Sequence, residues 1–243
     1  MNLKTTLFAT TTAIAMGGAA TAATIEVELY NTDPLNTSTD TYIDALDNPV
    51  TQDFENIEGV NGNTQLGGIL NTNVGSFETL GGTGTGGSAV GDGTELSVKN
   101  SNGFGRQNTT TGGEYWLDSN DTFGIRWIAS LANNTKFTQL AFSLSDAVDQ
   151  GATLTVAAAG DFITADLDLS DQNNGTLQWV VVSFENAVEM ATISLTNSKL
   201  NDGFGIDDTT IAAVPLPAGI LLLGTALGGL GVVRRRTAKK ADA

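Results

Sequence analysis

Two short acidic segments, far apart in the chain, hold the residues best placed to do chemistry. Asp53 and Glu55 flank Phe54, and Asp207-Asp208 closes the run Gly203-Phe204-Gly205-Ile206. Adjacent carboxylates repel, and a hard cation with oxygen ligands removes that cost. The chain has no Cys and no His. Thiolate nucleophiles, Ser-His-Asp triads and the usual zinc ligand sets are therefore excluded. A metal site here must be built from oxygen, which points to calcium or magnesium. The plainer alternative is that Asp207 and Asp208 are ordinary edge or turn residues.

Aromatic residues offer a second chemistry. Tyr115, Trp116 and Trp127 could form a platform for the apolar faces of sugar rings, or could simply pack in a core. Trp179 lies in a continuous apolar run, Leu177 to Phe184, and reads as core. Arg106 and Glu114 read as a surface ion pair of little worth. A glycosidase would need two carboxylates facing each other across a cleft, and no pair is singled out by the sequence.

The elements that must position these residues have a period of two. Ile25, Val27 and Leu29 alternate with polar neighbours, as do Leu96 and Val98, Leu140 to Leu144, Leu154 to Ala158, and Ile163 to Leu169. Phe123, Ile125 and Trp127 share one face, and Ile193, Leu195, Phe204 and Ile206 continue the pattern. Leu177 to Phe184 is apolar on both faces and predicts a central strand covered on both sides. Turn signals separate the runs at Ser119-Asn120-Asp121, Asn133-Asn134, Asp149-Gln150-Gly151, Ala159-Gly160-Asp161, Asn173-Asn174-Gly175 and Asn201-Asp202-Gly203. An all-β, antiparallel sandwich of roughly eight to ten strands follows. Residues 59–93 are rich in Gly and poor in large apolar side chains, so a long loop or flexible insertion is expected there. No Lys follows these glycines, so they do not read as a phosphate loop. Gly103-Phe104-Gly105 is echoed by Gly203-Phe204-Gly205, but the flanks differ and chance recurrence explains it better than duplication.

Both ends of the chain carry addresses. Lys4 opens a short basic region, Leu7 to Ala19 is apolar or small, and Ala20-Thr21-Ala22 fits a small-x-small cleavage rule. Residues 1–22 are expected to be a removed signal peptide, leaving residues 23–213 as one extracytoplasmic domain. At the other end Val214-Pro215-Leu216-Pro217-Ala218 opens a stretch without charge that runs to Val233 and stops at Arg234-Arg235-Arg236. Its 20 residues span about 30 Å as a helix, one hydrocarbon thickness. The basic cluster, with Lys239 and Lys240, should hold residues 234–243 in the cytoplasm. Between the ends, residues 24–213 hold 26 acidic and 5 basic side chains, a net charge of 5 − 26 = −21. Such a domain is repelled by nucleic acid and attracts divalent cations. Solubility of an exported protein is the simplest use of most of these acids.

Two resemblances add to these readings. The short Pro motif, apolar span and basic tail resemble the PEP-CTERM class of bacterial sorting signals in its VPLPA variant. The segment Arg106 to Asp121, with Tyr115-Trp116-Leu117-Asp118-Ser119-Asn120-Asp121, is similar to that of exported VPLPA-bearing proteins of alpha-proteobacteria. The likeness implies an inner-membrane intermediate, an exosortase-type processing enzyme as partner, and delivery to the cell surface or extracellular matrix with its exopolysaccharide. It implies no settled biochemical activity. Separately, an early Phe-Glu paired with a late Ile-Asp-Asp resembles jelly-roll carbohydrate-binding modules and related bacterial surface domains. That likeness implies neighbouring first and last strands with a structural calcium between them, held by Asp53, Glu55, Asp207 and Asp208. A non-catalytic surface or matrix protein, binding calcium and polysaccharide, is the favoured expectation. A secreted glycoside-acting enzyme and an unprocessed single-span membrane protein are the alternatives.

Overall fold

A computed structural model describes residues 4–7, 25–31, 39–148, 151–166, 175–199 and 201–213. The VPLPA motif, the apolar span, the Arg cluster and all of residues 1–22 except Lys4–Leu7 lie outside these residues. So do Leu167, Leu169, and parts of the turns at 149–151 and 173–175.

The described residues form fifteen strands, all paired antiparallel. In chain order they are β1 (Lys4–Leu7), β2 (Ile25–Asn31), β3 (Pro49–Gln52), β4 (Thr64–Gln65), β5 (Leu70–Thr72), β6 (Gly75–Thr79), β7 (Ser97–Lys99) and β8 (Trp116–Asp118). There follow β9 (Gly124–Ser130), β10 (Phe137–Ser145), β11 (Thr153–Ala158), β12 (Asp161–Asp166), β13 (Leu177–Val188), β14 (Met190–Thr196) and β15 (Gly205–Ala213). The helical turns among the described residues are α1 (Asp40–Ile43) and one 3-10 turn at Ala132–Asn134. One sheet has the order β1-β2-β13-β10-β15-β8-β7-β4, with β3 also on β15. The other has the order β12-β11-β14-β9-β6-β5. The strand count exceeds the sequence expectation because several strands are only two to four residues long.

Alternation builds the core. Ile25, Val27 and Leu29 point inward from the first sheet, and Leu154, Val156, Ile193 and Leu195 point inward from the second. The sheets meet at Trp127, which stacks on Phe77 at 5.6 Å and meets Phe142 edge-on at 6.0 Å. Phe54 closes the group edge-on against Phe77 at 5.4 Å. Aromatic pairs prefer these offset and T-shaped arrangements.

β13 is buried on both faces, as its unbroken apolar run predicts. Its outer face carries Trp179 and Val181, which with Ala141 are covered by Tyr42, Ile43 and Leu46 of α1 and the turn after it. Tyr42 stacks on Trp179 at 5.6 Å.

The Gly-rich stretch departs from expectation. Instead of a long loop, residues 59–93 contain β4, β5 and β6 and bury Val74 and Phe77 completely. Glycine here serves close approach rather than flexibility. A Cβ on Gly75 would lie 2.0 Å from the Ile128 carbonyl oxygen on the neighbouring strand. One on Gly84 would lie 2.0 Å from the Asn120 carbonyl. Composition alone does not separate glycine used for contact from glycine used for freedom.

Candidate functional site

A bulge in β15 builds the first element of the site. Ala141 pairs with Thr210 and Ser143 with Asp207, so between these pairs one residue of β10, Phe142, opposes two of β15, Asp208 and Thr209. Asp208 takes φ +48, a left-handed conformation inside a strand. Successive strand residues normally point to opposite faces, and a bulge re-aims one of them. Asp207 and Asp208 thereby reach the same hydroxyl. Thr109 Oγ1 lies 3.2 Å from Asp207 Oδ2 and 2.8 Å from Asp208 Oδ2.

The other donors complete a clasp. Thr109 N donates to Asp207 Oδ2 at 2.8 Å, and Asp208 N donates to Asp207 Oδ1 at 2.8 Å. Thr110 Oγ1 donates to Asp208 Oδ1 at 2.7 Å. Thr39 Oγ1, one residue before α1, donates to Asp208 Oδ2. One bulge thus pins two coverings of the outer face, α1 and the segment around Thr109. Both aspartates are buried. Burial, and then the Asp208 charge, push the Asp207 carboxyl well above the usual carboxylate range.

Asp53 and Glu55 are placed differently. Asp53 Oδ1 accepts Glu55 N at 3.2 Å, closing a tight turn in which Phe54 has φ +57 and enters the core. Glu55 Oε1 accepts Asn108 Nδ2 at 3.2 Å, Glu114 N at 2.7 Å and Tyr115 N at 2.8 Å. The early and late acidic segments therefore do converge, but on the residues between Asn108 and Tyr115. Among the described residues no group of three or more acidic side chains is placed to hold a metal ion. The expected four-carboxylate calcium set is thus not assembled. Asp207 and Asp208 share a location, while Glu55 and Asp53 fix backbone elsewhere.

The residues between Trp116 and Asp121 form a buried charge cluster that sequence reasoning missed. Arg106 was expected to pair with Glu114 at the surface. Instead it is buried, and Nη1 lies 3.0 Å from Asp118 Oδ1 and 3.0 Å from Asp121 Oδ1. Its Nη2 donates to Ser88 Oγ at 2.6 Å. Lys99 Nζ lies 3.1 Å from Asp118 Oδ2 and donates to the Ser88 carbonyl at 2.8 Å. Burial opposes the Arg106 charge, but Asp118 and Asp121 outweigh it, so its pKa is raised. Asn120 and Asp121 hold the turn with φ +55 and +57, and Asn120 ties down the Gly-rich stretch through Val90 and Glu95. The available signal was scarcity: Lys99 and Arg106 are two of only five cations in a domain of 26 acids.

The aromatic platform is also corrected. Trp116 and Trp127 are buried, so neither presents a face to solvent. Trp127 Nε1 donates to the Val74 carbonyl at 2.9 Å. Tyr115 is half-buried, packs on the core, and its hydroxyl accepts Gly62 N at 3.4 Å. Trp116 Nε1 has no hydrogen-bond partner among the described residues.

The fold and clasp define an all-β protein whose acids organise its covering segments. No protein-family profile matches the chain, and no curated protein is significantly similar to it.

Proposed function

We propose that this chain is an exported display protein: a jelly-roll-like β-sandwich carried on a C-terminal transmembrane helix and presented at the cell surface or in the extracellular matrix. The observation that carries this reading is the sequence from Val214 to Arg236, a VPLPA motif, a charge-free span and a basic stop. An exosortase-type enzyme would recognise that signal, and exopolysaccharide is the proposed neighbour after release. A non-catalytic role is supported by how the buried acids are used. Asp118, Asp121, Asp207 and Asp208 each hold a covering segment or a buried cation, whereas glycoside hydrolysis calls for two carboxylates aimed at a common substrate.

Calcium belongs to this proposal at Asp207 and Asp208 alone. Two adjacent buried carboxylates surrounded by the hydroxyl oxygens of Thr39, Thr109 and Thr110 offer the hard donors that calcium takes.

Intact mass and fractionation of the native protein test the proposal. The expected product begins at Ala23, lacks residues 234–243 and leaves the membrane fraction. A mature protein that retains residues 234–243 and stays in the membrane overturns processing and leaves a plain single-span protein.

A further inference from the structure

We propose that a cleft between the Gly-rich stretch and the Gly103–Arg106 turn binds one ring of a neutral saccharide. This rests on the carbohydrate part of the function proposed above and gives it a location. The cleft has a volume of about 290 Å³ and is lined by Asn63, Ser88, Lys99, Asn102, Phe104 and Trp116, among others. That is at the small end for ligand sites, suited to one ring rather than to a larger ligand.

Phe104 is the rim. The turn is closed by Gly103 N to the Arg106 carbonyl at 3.0 Å and Arg106 N to the Gly103 carbonyl at 3.1 Å. Phe104 and Gly105 at its tip have φ +55 and +85. A bulky side chain is unfavourable in that conformation, where Gly or Asn is usual. Phe104 nevertheless sits there with 67% of its surface exposed. The turn is anchored from below, because Arg106 is locked to Asp118 and Asp121. A strained, anchored turn thus holds an aromatic ring in water, a use of strain found at ligand clamps.

Trp116 forms part of the wall. A Cβ on Gly205 would lie 2.7 Å from Cε3, so the six-membered ring edge is packed against that glycine. The opposite edge carries Nε1, which is buried and lacks an acceptor. A buried N–H without a partner is costly, so the indole N–H of Trp116 is sensitive to any shift of the wall to which it belongs.

Charge selects the class. Among the described residues no acid lines the cleft, so a cation would find no charged ligand there. Its one cation, Lys99, is already paired with Asp118 at 3.1 Å, and the domain around it carries −21, so an anion is disfavoured. The exposed Phe104 ring, with the amides of Asn63 and Asn102 and the hydroxyl of Ser88 beside it, suits a neutral, hydroxyl-rich ring with an apolar face.

The test is titration of the full-length chain, in a sugar-free detergent, with glucose, galactose, mannose and N-acetylglucosamine. Glucuronate and triglycine serve as competitors of other classes. The readout is the indole N–H resonance of Trp116, one of three in the chain and assigned with Trp116→Phe. At least one neutral sugar should move that resonance, and Phe104→Ala should weaken its binding about tenfold. Phe104 is exposed, so this variant keeps the core intact. If a sugar binds but the Trp116 signal stays still and Phe104→Ala binds as wild type, the cleft is wrong and the carbohydrate reading survives. If no sugar binds at all, both fail. If glucuronate or triglycine binds more tightly, the ligand class is wrong.

Discussion

Asp118 is the side chain whose loss should cost most, and the structure gives the size. It is fully buried and receives Arg106 Nη1 at 3.0 and 3.1 Å, Lys99 Nζ at 3.1 Å and Asn120 N at 2.5 Å. Asp118→Asn keeps the shape but takes from buried Lys99 the carboxylate at 3.1 Å and leaves buried Arg106 with Asp121 at 3.0 Å. Breaking a buried ion pair from one side costs about 3–5 kcal/mol. At roughly 2–4 °C per kcal/mol for a domain of this size, Tm should fall by about 6–20 °C. The internal control is the pair Arg126–Glu78, 2.7 Å apart across β9 and β6, with side chains 43% and 27% exposed. Arg126→Gln should cost less than about 1 kcal/mol, and that cost should shrink in salt. Lys99→Met in the Asp118→Asn background removes the surplus cation, so the double variant should be less destabilised than the sum of the singles. Thermal unfolding of the four variants decides the matter. If Asp118→Asn costs no more than Arg126→Gln, or if the double variant is strictly additive, the cluster does not hold the fold as described.

Other perturbations test separate parts. Calcium at constant ionic strength should raise Tm, as a ligand of the folded state alone does, and Asp207→Asn with Asp208→Asn should remove the effect; an unchanged response places calcium elsewhere. In calcium-free buffer, the raised Asp207 pKa means that the folded state binds the extra proton. Its contribution is therefore fully present below the unfolded value of about 3.9 and lost as pH rises through the folded value. Asp207→Asn should flatten that decline in a pH series of melting curves, and an unaltered slope refutes it. Gly124 has φ +135, and a Cβ there would lie 1.9 Å from the Leu195 carbonyl oxygen. Gly124→Ala should therefore destabilise by about 3 kcal/mol or more in urea unfolding, and a neutral result would refute the strand spacing described. Replacing Arg234, Arg235 and Arg236 with Glu should impair retention or invert the anchor, as read by protease protection of the C-terminal tail.

The strands were legible where one face is dry and the other wet. Ile25 to Leu29 and Leu154 to Ala158 alternate in burial as they do in sequence. Alternation failed at β7 and β8, whose residues are all buried. There the covering comes from segments distant in sequence, which a local pattern does not contain. The pairing of the early and late acidic segments was also legible, but its medium was not. The two segments are joined through Thr109, Asn108 and the amides of residues 114 and 115, contacts that no local pattern in the sequence announces. The bulge that lets Asp207 and Asp208 share Thr109 depends on register with β10, which has no local signature. Arg106 was misplaced for the same reason, since its partners lie 12 and 15 residues away across a turn whose burial composition does not reveal.

β15 also sets a distance. Its last residue, Ala213, pairs with Phe137, which in turn pairs with Val188 at the end of β13, and Ile25 pairs with Phe184 on that same strand. The exit toward Val214 and the start of β2 therefore lie toward one end of the sheet. Gly205, at the other end of β15, touches Trp116 and pairs with Asp118. Eight steps of about 3.3 Å separate the two ends, roughly 26 Å. Under the tether proposed at Val214, the Phe104 rim would lie at the end of β15 remote from the anchor, about a strand's length away from it.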